Sequence, residues 1–143
     1  MKAGFLNPLL SGGPFALQNS RNRRIIADRV ETAFDSDTRK KGLMGRHSMA
    51  AGSALVIAPS NSVHTFFMRF PIDLLFVGRD GEVLKVRHSV QPWRLAGAWR
   101  AFAVVELPAG TAESAEVQPG DRLVLHASNP ARLELKSVPR QTT

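Results

Sequence analysis

The chain has 143 residues, of which 43% are hydrophobic and 22% charged, and its formal net charge is +7. This length and composition are typical of one soluble globular domain that buries a sizeable core. No apolar run approaches the roughly 20 residues that span a bilayer, so no transmembrane segment is predicted. The absence of cysteine excludes disulfides, thiolate metal sites and a cysteine nucleophile.

Residues 1–22 are predicted to be a flexible N-terminal segment. They begin with a lysine and a short apolar stretch, which is the outline of a signal peptide. However, Asn7 and Pro8 interrupt the apolar part, and no clear cleavage site of small residues follows. The sequence therefore favours a cytoplasmic location over export.

The positive charge is concentrated in two short clusters, RNRR at 21–24 and RKK at 39–41. Such clusters can attract nucleic acid or anionic lipid, but no nucleic-acid-binding motif accompanies them, so we interpret them as solvated surface. Nucleic-acid binding through the basic N-terminal half is kept as an alternative. It predicts salt-dependent retention on DNA or RNA that is lost when Arg21, Arg23 and Arg24 are neutralised.

Residues 23–138 are predicted to form a single compact domain, mainly β or α+β at most, built as a barrel or sandwich with one or two short helices. Residues 23–34 favour a first strand, although their weak periodicity also permits a helix. Further apolar runs bounded by turn-forming residues predict strands at 53–58, 64–70, 72–77, 82–90, 101–107, 122–127 and 132–137. Residues 139–143 are predicted to be a tail.

Two short segments carry helix signals. In the first, Ser36 or Asp37 can cap a helix whose last turn holds the RKK cluster, the sign of charge preferred near a helix C-terminus, and Gly42 ends it. In the second, residues 110–117, Thr111 can cap another short helix.

The dipeptide Asp80-Gly81 predicts a two-residue hairpin turn between the strands at 72–77 and 82–90. In this register Asp73 lies opposite His88. One face of the hairpin is then apolar and faces the core, with Leu75, Val77, Leu84 and Val86. The other face is predicted to be half-exposed, with Leu74 and Phe76 set against Lys85 and Arg87.

Three ionisable residues, His64, Arg69 and Asp73, interrupt the most hydrophobic stretch of the chain, where burial is costly without partners. The Asp73–His88 pair is interpreted first as a hydrogen bond that permits partial burial, and alternatively as a proton-transfer dyad. His64 is the nearest third ligand for a metal, but no compact ligand spacing is present. We therefore predict no metal and no cofactor.

A second carboxylate, Glu106, alternates onto the apolar face of the strand at 101–107, so we predict that it is partly buried. It then needs a neighbouring cation, such as Arg46, Arg69 or Arg94.

Four motifs resemble one known family in order and spacing: GLMGR at 42–46, HTFFMRFPIDLLFVGRDGEVLKV at 64–86, PWR at 92–94 and VVELPAGTAESAEVQPGDRLVL at 104–125. Together they look like the domain of unknown function 192, over about residues 35–127. The resemblance implies a small, mainly β domain without an established activity. The variant HTFFMRFPID is similar to the cytosolic branch of that family.

The family pattern emphasises the positions that match Gly42, Leu43, Met44, Arg46, Met68, Asp73, Glu106, Gly110, Gly120 and Asp121. His88 does not belong to this pattern. The departure weakens an Asp73–His88 dyad as a shared function and favours an arginine as the partner of Asp73.

The leading hypothesis is a small ligand-binding or accessory module, because the folded core must bring together polar groups that are embedded in distant apolar segments. The predicted pocket is formed by Arg46, His64, Arg69, Asp73, Trp93 and Glu106. Its excess of arginine indicates a small polar or anionic ligand, such as a carboxylate, phosphate or sugar acid. The alternative is a hydrolase or other general acid–base enzyme that uses Asp73 with His88 or His64.

Overall fold

The computed structural model describes residues 4–11 and 13–128, which fold mainly into β-strands with two short α-helices. The strands are β1 (Phe15–Asn19), β2 (Ile25–Ala27), β3 (Arg29–Ala33), β4 (Ser53–Ile57), β5 (Ser62–His64), β6 (Ile72–Val77), β7 (Val83–Val90), β8 (Leu95–Gly97), β9 (Ala103–Pro108) and β10 (Leu123–Ala127). The helices are α1 (Ser36–Lys41) and α2 (Thr111–Ser114), and a 3-10 helix spans Asn7–Ser11. The predicted β-rich fold class is confirmed.

A five-stranded sheet in the order β3-β4-β9-β6-β7 forms the centre of the fold. Its pairs are antiparallel except for β3 and β4, which run parallel. A three-stranded sheet in the order β10-β1-β2 contributes to the core on one face, and the β5–β8 ribbon contributes on the other. Over the described ranges the sheets do not close on themselves, so the fold is layered and not a barrel.

Strand β6 lies between β9 and β7, and all six of its residues are buried. Leu75 and Val77 belong to the core cluster shared with the three-stranded sheet and α2. Leu74 and Phe76 belong to a second cluster on the opposite face, together with Leu43. The prediction of a half-exposed face is therefore wrong for Leu74 and Phe76, whereas Lys85 is half-buried with its Nζ 5.8 Å from the Phe76 ring centroid, and Arg87 is exposed. The β5–β8 ribbon and the segment after α1 cover that face, and a pattern within one hairpin cannot reveal such a cover.

The predicted hairpin register is confirmed at three positions, Leu74↔Arg87, Leu75↔Val86 and Phe76↔Lys85. Bulges interrupt it on both sides. At the turn, Val77 pairs with Val83, and the Gly78 N–H donates to the Glu82 carbonyl at 2.9 Å. The predicted two-residue turn is thus wrong. At the second bulge Asp73 has no residue opposite it in the β7 register, so the predicted pairing with His88 does not form.

Strand β1 lies within the N-terminal segment that we predicted to be flexible. It pairs with β10 and β2, and Leu17 is fully buried. The prediction of a flexible segment is therefore wrong for residues 15–19. Their strand partner, β10, lies at the far end of the chain, so short-range sequence patterns do not reveal it. Residues 65–70, predicted to continue a strand, form turns and bends. The predicted strand at 132–137 and the tail lie outside the described residues.

Both helices occur where predicted, but with other caps. The N-cap of α1 is Asp35, whose Oδ1 accepts a backbone N–H three residues on at 2.8 Å, and the predicted caps Ser36 and Asp37 lie in the first turn. The N-cap of α2 is Gly110, in the left-handed region at φ +93°, rather than Thr111.

Candidate binding site

Glu106 is a buried carboxylate in the five-stranded sheet. It lies on β9 between Leu55 of β4 and Leu74 of β6, and only 3% of its surface is exposed. Its Oε2 has no hydrogen-bond partner among residues 4–11 and 13–128. Burial raises the pKa of Glu106 to about 7, and the positive charge of Arg46 opposes this shift. The group therefore exchanges a proton near neutral pH.

A cleft of about 290 Å³ opens beside Glu106. Its lining comes from α1 and the residues that follow it, from β5 and from the sheet, and its polar part includes Arg39, Lys40, Lys41, Ser62, His64 and Glu106. Glu106 is the single acidic residue of the lining and its most deeply buried polar group. The volume is near the lower end of the range for small-molecule sites, about 300 Å³.

The end of α1 lies directly against this carboxyl group. Gly42 ends the helix at φ +46°, and its N–H donates to the Thr38 carbonyl at 2.9 Å. A Cβ atom on Gly42 would lie 3.8 Å from Glu106 Oε1. The glycine thus lets the backbone turn away while the helix end stays close to the acid.

Two stretches without any acidic residue, 38–72 and 83–105, contribute much of this side of the molecule. They carry nine cationic side chains: Arg39, Lys40, Lys41, Arg46, Arg69, Lys85, Arg87, Arg94 and Arg100. Of these nine, only Arg46 forms an ion pair with a carboxylate in the described ranges, that of Glu31 at 3.0 Å. Because the other eight form no ion pair there, their positive charge is available to an anionic ligand.

Four rings, His64, Phe66, Phe67 and Trp93, form what we call the aromatic row. The centroids of His64 and Phe66 are 5.0 Å apart, those of Phe66 and Trp93 5.7 Å, and those of Phe67 and Trp93 4.7 Å. Phe67 is 63% exposed and Trp93 is 56% exposed. Because His64 also lines the cleft, the row begins at the cleft and continues over the surface.

The backbone of the aromatic row is held in an unfavourable conformation. Phe67 and Trp93 have φ angles of +65° and +67°, which bulky residues adopt only when their surroundings hold them. Buried Thr65 supplies those contacts. Its Oγ donates to the Gln91 carbonyl at 2.7 Å and accepts the Arg94 N–H at 2.8 Å. Its carbonyl accepts the Trp93 N–H at 2.9 Å and the Met68 N–H at 3.2 Å, so Thr65 holds both the Trp93 segment and the turn that contains Phe67.

Asp73 is placed where it organises backbone and not where it lines the cleft. Its Oδ1 accepts the Ser89 N–H at 2.8 Å, and its Oδ2 accepts the N–H groups of Gly110 and Ala112 at 3.0 and 2.9 Å. It therefore supplies from β6 the cap that Gly110 cannot provide for α2. Neither the arginine partner implied by the family pattern nor a histidine partner is among these contacts.

The Asp73–histidine dyad of the enzyme hypothesis is absent. His88 is exposed, and His64 is exposed with its Nδ1 accepting the Phe66 N–H at 3.3 Å. The Asp73 oxygens accept three backbone N–H groups instead, and no imidazole is among these partners.

The other predicted site residues are divided between two features. Glu106 and His64 line the cleft, and Trp93 connects to His64 through the ring of Phe66. Arg46 acts on Glu106 through its charge while its guanidinium binds Glu31. Arg69 forms no ion pair with Asp73 or Glu106; its Nη1 lies 3.2 Å from His47 Nδ1.

Sequence reasoning assigned the RKK cluster to solvated surface, and Lys40 and Lys41 are indeed exposed; it did not predict that the cluster also lines the cleft. The signal that points to them is the run from 38 to 72 without an acidic residue. Chemically, the cleft combines cations that can hold an anion with a carboxyl group that can accept or donate a hydrogen bond near neutral pH. Within the described ranges no group of three His, Asp or Glu side chains could hold a metal ion.

Fold and site together define a small layered β protein with a buried carboxyl group in a cationic cleft. The chain belongs to the family described as DUF192, uncharacterized ACR, whose model matches residues 17–125. In the described ranges no helix has the length and apolar character needed to cross a bilayer.

A curated relative is UPF0127 protein PF1050 of Pyrococcus furiosus, 41% identical over 63 residues. The match covers 43% of this chain and 53% of the relative, so the chain spans about half the length of that protein.

Two solved structures share the fold. One, from Sinorhizobium meliloti 1021, is described as a proposed transcription regulator; it has 28% identity and a TM-score of 0.67 over 76% of this chain and 89% of its own. The other, a protein of unknown function from Novosphingobium aromaticivorans DSM 12444, has 25% identity and a TM-score of 0.67 over 80% of this chain and 88% of its own.

Proposed function

We propose that this protein binds a small anionic molecule that also carries a hydroxyl or amine donor, in the cleft at Glu106. The observation that carries the proposal is the Oε2 of Glu106, which is buried at the cleft without a hydrogen-bond partner in the described ranges. A buried polar atom left unpaired costs free energy, and a donor group on a ligand removes that cost.

The cations around the cleft favour a ligand with negative charge. Lys40 and Lys41 line it and form no ion pair with a carboxylate anywhere in the described chain. Carboxylate and phosphate groups are the natural partners of such side chains. Sugar acids, sugar phosphates and hydroxycarboxylic acids combine an anionic group with hydroxyl donors, and they are small enough for a cleft of about 290 Å³.

The test is a thermal-stabilisation screen of the wild-type protein against sugar acids, sugar phosphates and hydroxycarboxylic acids. A ligand that binds only the folded state raises the melting temperature, because saturation at about 100 times Kd adds about 2.7 kcal/mol to the free energy of unfolding. We expect a smaller rise for Glu106→Gln and for the double variant Lys40→Gln/Lys41→Gln.

Glu113→Gln is the matched control, since it makes the same chemical change at an exposed carboxylate on α2. It should show the wild-type rise with the same compound. The proposal fails if no compound of these classes stabilises the wild type, or if Glu106→Gln and Glu113→Gln respond alike.

A further inference from the structure

We infer that the aromatic row, with the arginines that flank it, is a binding surface for single-stranded nucleic acid. This goes beyond the cleft, because Phe67 and Trp93 lie outside the cleft lining and are exposed. The inference rests on three observations: the stacking of the rings, their rigid backbone and the unpaired positive charge beside them.

The rings already have the spacing of a stack. Centroid separations of 4.7 to 5.7 Å and interplanar angles of 28° and 29° for two of the three pairs show offset stacking. Unpaired bases continue such stacks, and every base has a ring face, so the contact tolerates any sequence. The left-handed backbone at Phe67 and Trp93, held by Thr65, means that little ordering is required when a base binds.

Positive charge lies next to the rings in the chain. Arg94 follows Trp93 directly, and Arg69 comes two residues after Phe67. Both side chains are exposed, and neither forms an ion pair with a carboxylate within residues 4–11 and 13–128. Arginine binds phosphate oxygens and stacks on bases, so the pair fits a phosphate backbone that runs past the rings.

The basic N-terminal half is less suited to this role. Its Arg21 binds Asp121 at 2.6 Å, and its Arg24 binds Glu116 at 3.1 Å, so acids of the same molecule occupy two of the three arginines. The fold therefore pairs two of the RNRR arginines with acids and leaves Arg69 and Arg94, beside the aromatic row, without a carboxylate partner in the described ranges.

A bilayer surface also attracts arginine and tryptophan, but binding to it would depend on side chains other than those of the aromatic row. Insertion depends on the most exposed apolar groups, which here are Leu95 at 72% and Trp99 at 85%. Trp99 makes no contact with another described ring. Stacking of bases depends instead on Phe67 and Trp93. Substitutions at Trp99 and at Trp93 therefore distinguish binding to a bilayer from binding to nucleic acid.

The experiment is fluorescence anisotropy of a labelled oligothymidylate of about 12 nucleotides, titrated with the full chain at several salt concentrations. Wild-type affinity should fall as salt rises. Trp93→Ala and Phe67→Ala should each weaken binding about tenfold, and Trp93→Phe should keep most of the affinity because it keeps a ring. The double variant Arg69→Gln/Arg94→Gln should make the negative slope of log K against log salt shallower by about 1.4, because two phosphate contacts are lost.

Trp99→Ala and Arg23→Gln are the controls and should bind within about twofold of wild type, a change of about 0.4 kcal/mol. Thermal unfolding of every variant checks that it is folded, and the two arginine changes test the inference even if a ring variant is destabilised. The inference is overturned if the wild type shows no salt-dependent binding, or if Trp99→Ala loses as much affinity as Trp93→Ala. Binding to phosphatidylglycerol vesicles without binding to the oligonucleotide would also overturn it.

Discussion

Glu106 couples the protonation of one carboxyl group to the stability of the whole fold. Its pKa is about 7 in the folded protein and about 4.5 in the unfolded chain. Between these values the folded state binds more protons than the unfolded state, so its free energy of unfolding falls as pH rises. The contribution is fully present below pH 4.5 and is lost as pH rises through about 7, with a size of about 3 kcal/mol.

We therefore expect the urea unfolding free energy of the wild type to fall by about 2.5 kcal/mol more than that of Glu106→Gln between about pH 5 and 8. The glutamine variant keeps the size of the side chain and removes its titration, so the difference between the two profiles isolates this group. Parallel profiles would show that Glu106 does not titrate in this range.

Single-residue features also show what sequence reasoning can recover of the site. Glu106 and His64 were identified because a polar residue in an apolar segment needs a reason to be there. The role of Asp73 could not be recovered, because its three partners are backbone N–H groups, which every residue except proline carries. A sequence gives no indication of which N–H groups the fold leaves unpaired.

At the scale of elements, the turn between β6 and β7 is locked to β10. Gly81 has φ +92°, its carbonyl accepts the Leu123 N–H at 2.8 Å, and an added Cβ would lie 2.5 Å from the Leu123 carbonyl oxygen. Gly120 has nearly the same backbone, φ +93°, but an added Cβ would meet nothing within 4 Å.

This pair separates backbone strain from steric conflict. Gly120→Ala should cost about 1 kcal/mol in urea unfolding, because alanine tolerates the left-handed region poorly. Gly81→Ala should cost at least about 2 kcal/mol more, since the turn or β10 must move. Equal losses for the two variants would mean that the turn relaxes freely and does not fix the position of β10.

The length of each strand, the clarity of its boundaries and the distance to its partners explain which elements were predictable. The positions of β4, β6, β7, β9 and β10 follow from apolar runs with clear boundaries, and all five occur where expected. Strand β8 has only three residues, and β1 depends on partners at the far end of the chain, so local patterns carry little signal for either. The buried outer face of β6 was missed for a related reason, since its cover comes from segments that have no regular pattern.

At the scale of the whole molecule, Asp73 joins parts of the chain that are far apart in sequence. Its carboxylate links β6 to Ser89, 16 residues on, and to Gly110 and Ala112, 37 and 39 residues on. The side chain is fully buried, so each of these N–H groups depends on it for a partner.

We expect Asp73→Ala to lower the free energy of unfolding by at least about 3 kcal/mol, because three N–H groups lose a charged acceptor. Asp37→Ala, at an exposed carboxylate in the first turn of α1, is the control and should cost less than about 1 kcal/mol. Urea unfolding measures both. Similar small losses would contradict an organising role for Asp73.

The pairing of β6 with β9 has a consequence for how the cleft can change. Leu74 lies opposite Glu106, so Glu106 faces the cationic side while Asp73, one residue earlier on β6, faces the other side. The acid thus belongs to a rigid frame, and a slip of one residue would remove it from the cleft. The cations that line the cleft, Arg39, Lys40 and Lys41, lie on α1, which has no buried residue, so these side chains can change without disturbing that frame. Under the proposed function, ligand preference can therefore change through substitutions on α1 alone while Glu106 stays in place.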